Sequence, residues 1–153
     1  MDNKSTATSL TIITPFKDVT SKKLYRTINY LYKQNIKLKI RHLIIYDISC
    51  PDFSSIKNSF INKKNYILEY IPTYKKGIYN SINEGLKYVK SNSYYIVIGA
   101  GDLISLENTY KIKIQKLLFC KYKLSNKQIE INHCRSLYSG MPYCHNAIIF
   151  KCN

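Results

Sequence analysis

Four short β-rich apolar runs punctuate the chain: LTIIT at residues 10–14, IRHLIIY at 40–46, NYILEYIP at 65–72 and SYYIVIGA at 93–100. Between successive runs lie segments with apolar residues at helical spacing. The first, SKKLYRTINYLYKQN, sets Leu24, Ile28 and Leu31 on one face behind Ser21, a residue type that caps helix N-termini. The second, DFSSIKNSFINKK, offers Phe53, Ile56 and Phe60 as its inward face, and the third, from about Lys76, offers Ile78, Ile82, Leu86 and Val89. The first strand is expected to stop at Pro15 and the third to close at Pro72. Strands and helices in strict alternation predict an α/β fold with a mostly parallel central sheet and right-handed crossovers. Ligands of such sheets sit beyond the carboxyl ends of the strands. Asp47 follows the second run and Asp102 the fourth, so two acids far apart in sequence are expected at one crevice, beside Thr14 and Pro15 from the first. Each Asp also suits a turn, which is the plainer reading of either alone.

The composition narrows the class. A chain of 153 residues with 45% hydrophobic and 13% aromatic content is large enough for one domain with its own core, and residues 1–153 are read as one. The opening MDNKSTATSL is polar, and no apolar run approaches the roughly 20 residues of a membrane span, so a soluble cytoplasmic protein is expected. Five cysteines, an odd number without CxxC spacing, suit reduced thiols. His133, Cys134, Cys144, His145 and Cys152 are zinc-type ligands, but adjacent pairs lack the gap that lets two side chains reach one ion. A net charge of +15 favours polyanionic or phosphate-bearing partners. The lysines are nevertheless spread along the chain, and they accompany an excess of Asn, Ile and Tyr, residues with A/T-rich codons. Tyrosines interleaved with lysines, as in NYLYKQN and CKYKLSN, would suit single-stranded nucleic acid, yet at helical or strand spacing they serve a core equally well. A nucleic-acid partner is therefore not expected.

The segments LTIITPFKD, LIIYDISCPD, GIYNSINEGLKYVKSNSYYIVIGAGD and GMPYCHNAIIFK, in that order, resemble the nucleotide-sugar-dependent glycosyltransferases of family 2 with the GT-A fold. The resemblance spans residues 10–151, and its most specific part is the stretch from Gly77 to Asp102. It implies a three-layer, Rossmann-like sandwich that moves a sugar, with inversion, from a nucleotide-diphosphate donor, most simply a UDP-sugar. The acceptor implied is a saccharide or a lipid-linked hydroxyl. Carried over by position, Thr14, Pro15, Asp47 and Asn83 would hold the donor nucleotide. Asp102 matches the last acid of the metal turn and His145 a later metal ligand, for Mg2+ or Mn2+. Glu107 and Glu130 are the acids available as general base.

The departures all remove negative charge. Ala100 stands where the first acid of an Asp-x-Asp pair belongs, Lys75 where an acid is usual, and Asn80 in place of Asp. Lys75 could pair with a pyrophosphate or stay solvated. Asp52 keeps the trailing acid after the second strand. The acceptor half is expected to be abbreviated behind a polar tail at residues 1–9. A degenerate relative that binds nucleotide without transfer, and a basic nucleic-acid module, are the competing readings. The basic surface further suggests peripheral contact with the inner face of a membrane, and a homo-oligomer is compatible with a short acceptor side.

Overall fold

The computed structural model describes residues 9–17, 21–50, 54–106, 117–119, 122–124, 127–129 and 148–152. Four parallel strands form its centre: β1 (Ser9–Phe16), β2 (Lys39–Asp47), β3 (Tyr66–Thr73) and β4 (Tyr94–Val97). Three helices alternate with them: α1 (Ser21–Lys33), α2 (Ser54–Ser59) and α3 (Ile78–Leu86). After β4 come β5 (Leu117–Phe119), β6 (Tyr122–Leu124), β7 (Lys127–Ile129) and β8 (Ile148–Lys151). The main sheet runs β3-β2-β1-β4-β8-β5, with β8 antiparallel to β4 and β5, while β6 and β7 pair separately. The expected α/β class and mostly parallel sheet are present. Among the described residues no helix is long and apolar enough to cross a membrane.

Strand alternation divides the core in two. Leu10 and Ile12 of β1 and Ile40 and Ile44 of β2 pack with Leu24, Ile28 and Leu31 of α1 and with Ile56 of α2. On the other face Ile13, Leu43, Ile45 and Ile71 meet Leu86 and Val89 from α3 and the turn after it. The result is a three-layer sandwich whose central strands are buried on both faces, as their near-continuous apolar runs require. Phe60 packs on this core with its ring 5.3 Å from those of Tyr25 and Tyr32, whereas Phe53 lies outside the described residues.

Two strands run further than their prolines suggested. β1 continues through Pro15, paired in register with Ile45, to Phe16. The Ile13 carbonyl accepts from Ile98 on the β4 side, so Pro15, two residues on, turns its missing N–H the same way, past the end of β4. No ladder bond is lost there. β3 likewise passes Pro72 and ends at Thr73, whose carbonyl bonds Ile48 on the β2 side. Pro72 therefore faces outward from an edge strand, a position that tolerates it.

Of the expected inward face of α3, Ile78, Ile82, Leu86 and Val89, the last two pack against the core as read, and the first half differs. Ser81 and Gly85 are its buried residues, and Ile78 is exposed. A Cβ on Gly85 would lie 2.7 Å from Cγ2 of Ile13 and 3.2 Å from Cγ1 of Ile45. Small residues thus let the helix backbone approach the sheet more closely than isoleucines would permit. Arg41 of β2 clips this side together, donating to Glu69 of β3 through Nε (2.6 Å) and Nη2 (2.7 Å) and to the Tyr88 carbonyl through Nη1 (2.6 Å).

Candidate functional site

An open cleft of about 270 Å³ lies at the carboxyl edge of the parallel strands. Pro15, Phe16 and Lys17 reach it from the end of β1, Asp47 from the end of β2, and Ala100 from the loop after β4. Lys23 of α1 closes one side, and Lys75, Gly77, Ile78 and Ser81 around the start of α3 close the other. The strand order, with β1 between β2 and β4, brings these loops together as parallel-sheet topology dictates.

Asp47 is the one acid that lines the cleft among the described residues. Only 6% of it is exposed. Its Oδ1 accepts from the Ser49 amide (2.9 Å) and the Ser49 hydroxyl (2.7 Å), while Oδ2 is buried without a hydrogen-bond partner among the described residues. The Ser49 hydrogen bonds, with help from the charges of Lys17 and Lys76, hold its carboxyl below the usual carboxylate range, so it is ionised at neutral pH. A buried carboxylate oxygen left unsatisfied is costly, and a ligand N–H or O–H donor would satisfy it.

The rest of the cleft is positive. α3 begins after Gly77, at φ 105° and ψ 149°, with no side-chain cap. That backbone region is open essentially to glycine alone. The first amides of α3 have neither an intrahelical partner nor a side-chain cap, an arrangement that suits anions, and Gly77 and Ile78 at this helix start line the cleft. Lys17, Lys23 and Lys75 converge on the same space. The ion pairs found among the described residues, Arg41–Glu69 and Lys87–Glu84, involve none of them.

Thr14 turns inward. It is fully buried, and its Oγ1 lies 2.9 Å from Nε2 of His42, whose Nδ1 is 2.6 Å from the Tyr66 hydroxyl. Thr14 therefore braces β1, β2 and β3, and its neighbour Pro15 lines the cleft. Asn83 is exposed on the side of α3 opposite Ser81 and Gly85, away from the sheet. Asp102 follows β4, as expected, but its Oδ2 accepts from the Gly99 amide at 2.9 Å and the residue does not line the cleft. Thr27 of α1 fixes that turn by donating to the Asp102 carbonyl (2.9 Å) and accepting from the Gly101 amide (2.8 Å). Glu107, Glu130 and His145 lie outside the described residues, as do Asp52 and the cysteine and histidine pairs His133–Cys134 and Cys144–His145.

The donor set was compared with what Mg2+ or Mn2+ would need. Such ions take oxygen ligands, and Mg2+ is typically held by one or two carboxylates together with substrate phosphates. Among the described residues there is no group of three His, Cys, Asp or Glu side chains that could hold a metal. The Asp102 carboxylate is engaged in its own turn, and three lysines line the neighbouring cleft. The described residues fit an anion better than a cation.

Sequence reasoning missed Lys17, Lys23 and Ser81 as cleft residues and Thr27 as the anchor of the Asp102 turn. Only Thr27 left a signal, a polar residue on the apolar face of α1, beside Leu24, Ile28 and Leu31.

No family model matches the sequence, and no curated protein matches it. Solved structures do. The chain is similar to S. aureus TarS 1-349 in complex with UDP, with a TM-score of 0.70 and 16% identity over 94% of this chain and 46% of that one. TarS 1-349 in complex with UDP-GlcNAc gives a TM-score of 0.67 at 18% identity, covering 94% of this chain and 45% of that one. TarS 1-349 alone gives 0.66 at 19%, with 94% and 47% covered. The chain thus spans about half the length of the structures it matches. With its mostly parallel sheet flanked by helices on both faces, this chain shares the α/β fold of TarS 1-349.

Proposed function

We propose that the cleft binds the nucleotide of a nucleotide-sugar donor and that the chain is a glycosyltransferase. The observation that carries the reading is Asp47, an ionised and nearly buried carboxylate at the carboxyl edge of the sheet with one oxygen that has no partner among the described residues. A nucleobase N–H is a donor of the right kind for it, and uracil N3–H is the natural choice. The shared fold supports UDP in particular, since two of the TarS structures are complexes with UDP and UDP-GlcNAc.

In the reaction proposed, an acceptor hydroxyl of a saccharide or lipid-linked sugar attacks the anomeric carbon. Its oxygen forms the new bond as the bond to the diphosphate breaks, the electron pair leaves with the diphosphate, and the configuration inverts. A carboxylate takes the hydroxyl proton, for which Glu107 and Glu130 are the candidates. A basic surface near a membrane-held acceptor is consistent with the net charge of +15. A second reading, nucleotide binding without transfer, draws on Asp102, whose carboxylate is folded into its own turn.

Calorimetric titration of UDP, with GDP beside it, tests the binding. UDP is expected to bind more tightly than GDP, and Asp47→Ala is expected to remove that preference. Equal, weak binding of both nucleotides by the native chain would sink the reading. Release of UDP from a UDP-sugar in the presence of mixed oligosaccharide acceptors then separates a transferase from a binder.

A further inference from the structure

We infer that this cleft neutralises the diphosphate of its ligand with its own lysines, Lys17, Lys23 and Lys75, and with the uncapped start of α3, in place of a divalent cation. The inference rests on the nucleotide-binding reading and specifies how its phosphate subsite works.

Three lysines line the cleft from three separate parts of the chain: the end of β1, the first turn of α1 and the loop before α3. Like charges gathered around one cavity repel one another, and an anion between them reverses the sign of that interaction. The first amides of α3 add hydrogen-bond donors and the positive end of a helix dipole on the same side. Asp47, the one acid of this lining among the described residues, lies at the end of β2 with a buried oxygen that has no donor among them. The cleft therefore has two chemically distinct ends, a carboxylate that needs an N–H or O–H and a group of lysines that needs an anion. A nucleoside diphosphate carries both groups.

The loop after β4 argues in the same direction. A Cβ placed on Gly101 would lie 3.6 Å from Cβ and Cγ of Lys23, so the stem of Lys23 runs directly against the turn that presents Asp102. Oδ2 of Asp102 accepts from the Gly99 amide, and Thr27 pins the backbone of the same turn, so one oxygen of the acid is taken up within the loop. Lys75 completes the arrangement at the position where the resemblance led one to expect an acid.

The test is calorimetric titration of three probes, UDP, uridine and inorganic pyrophosphate, into the full chain, each in excess EDTA and in excess Mn2+. UDP and pyrophosphate are expected to bind in EDTA, and excess Mn2+, which complexes both anions, is expected to leave their affinities unchanged or to weaken them, never to strengthen them. Lys23→Ala and Lys75→Ala, both at exposed side chains, are each expected to weaken UDP and pyrophosphate about tenfold, the effect of one charge-assisted hydrogen bond, and to leave uridine unchanged. UDP binding that requires Mn2+ and is lost in Asp102→Ala would overturn the lysine inference and leave the nucleotide reading standing. Lysine-dependent pyrophosphate binding, with UDP no tighter than pyrophosphate and Asp47→Ala without effect, would support the lysines and overturn the nucleotide reading. Failure of both UDP and pyrophosphate to bind under either condition overturns both.

Discussion

Asp47 and His42 sit five positions apart on or at the end of one strand and solve opposite problems. Asp47 is charged and has one oxygen without a partner among the described residues; in the proposed site Asp47→Asn, which keeps the size and removes the charge, should weaken UDP by about tenfold or more, as loss of a hydrogen bond to a charged group does. Titration of the variant beside uridine checks this, because a loss confined to UDP would place Asp47 at the phosphates and not at the base. His42 is neutral and fully buried between the hydroxyls of Thr14 and Tyr66, and burial pulls its pKa down from 6.5 to about 3. The unfolded chain therefore binds a proton that the folded chain refuses between pH 6.5 and about 3. Its contribution is complete above pH 6.5 and is lost as pH falls, by up to about 1.4 kcal/mol per pH unit. Urea unfolding of the native chain and of His42→Gln at pH 7 and pH 5 should show the gap between them closing at the lower pH. A gap that does not change with pH would mean that His42 is not the proton-linked group.

At the scale of elements, α3 decides the shape of the cleft, because it carries Gly77, Ile78 and Ser81 into the lining while Gly85 sets its distance from the sheet. Gly85→Ala puts a methyl against the branch of a fully buried Ile13, where neither partner has room to move. Overpacking of this kind costs about 1–3 kcal/mol, against which the better helix propensity of alanine returns about 1. A lowered urea midpoint with weaker UDP binding is the expected result, and an unchanged midpoint would contradict the close approach. Gly77→Ala leaves ample space, its nearest neighbour being Nδ2 of Asn80 at 4.0 Å, but forces a Cβ into a glycine-only backbone region. A loss of about 1–3 kcal/mol is expected there from backbone strain alone. α1 and the residue after it anchor the loop that follows β4 through polar side chains: besides Thr27, Gln34 donates to the Ile104 carbonyl (2.8 Å) and accepts from the Leu106 amide (2.7 Å).

For the whole molecule, binding and charge pull in measurable directions. Saturation with UDP at a hundred times its dissociation constant should stabilise the native chain by about 2.7 kcal/mol, a rise in Tm of several degrees for a domain of this size. Added salt should act twice, in opposite senses. It screens the repulsion within a chain of net charge +15 and so raises the unliganded Tm, and it weakens the attraction of the cleft lysines for a diphosphate. Thermal unfolding with and without UDP at rising NaCl should therefore show the two curves converging.

The sequence by itself determined the alternation of strands and helices, the core face of α1, and the placement of Asp47 at a strand's carboxyl end, because each follows from periodicity and local residue type. Tertiary structure alone decided which side chains share the cleft. Lys17, Lys23 and Lys75 are three lysines among many along the chain, and nothing local marks them; they meet because β1 lies between β2 and β4 in the sheet. Thr14 and Asn83 follow the same logic in reverse, since one strand residue and one helix turn decide between the cleft and, respectively, the core or the solvent. Pro15 and Pro72 ended strands when read locally but not in the sheet, because the cost of a missing N–H depends on whether a neighbouring strand stands opposite it. The inward face of α3 was set by how closely two backbones approach, and the apolar periodicity of a single helix carries no record of the partner's shape.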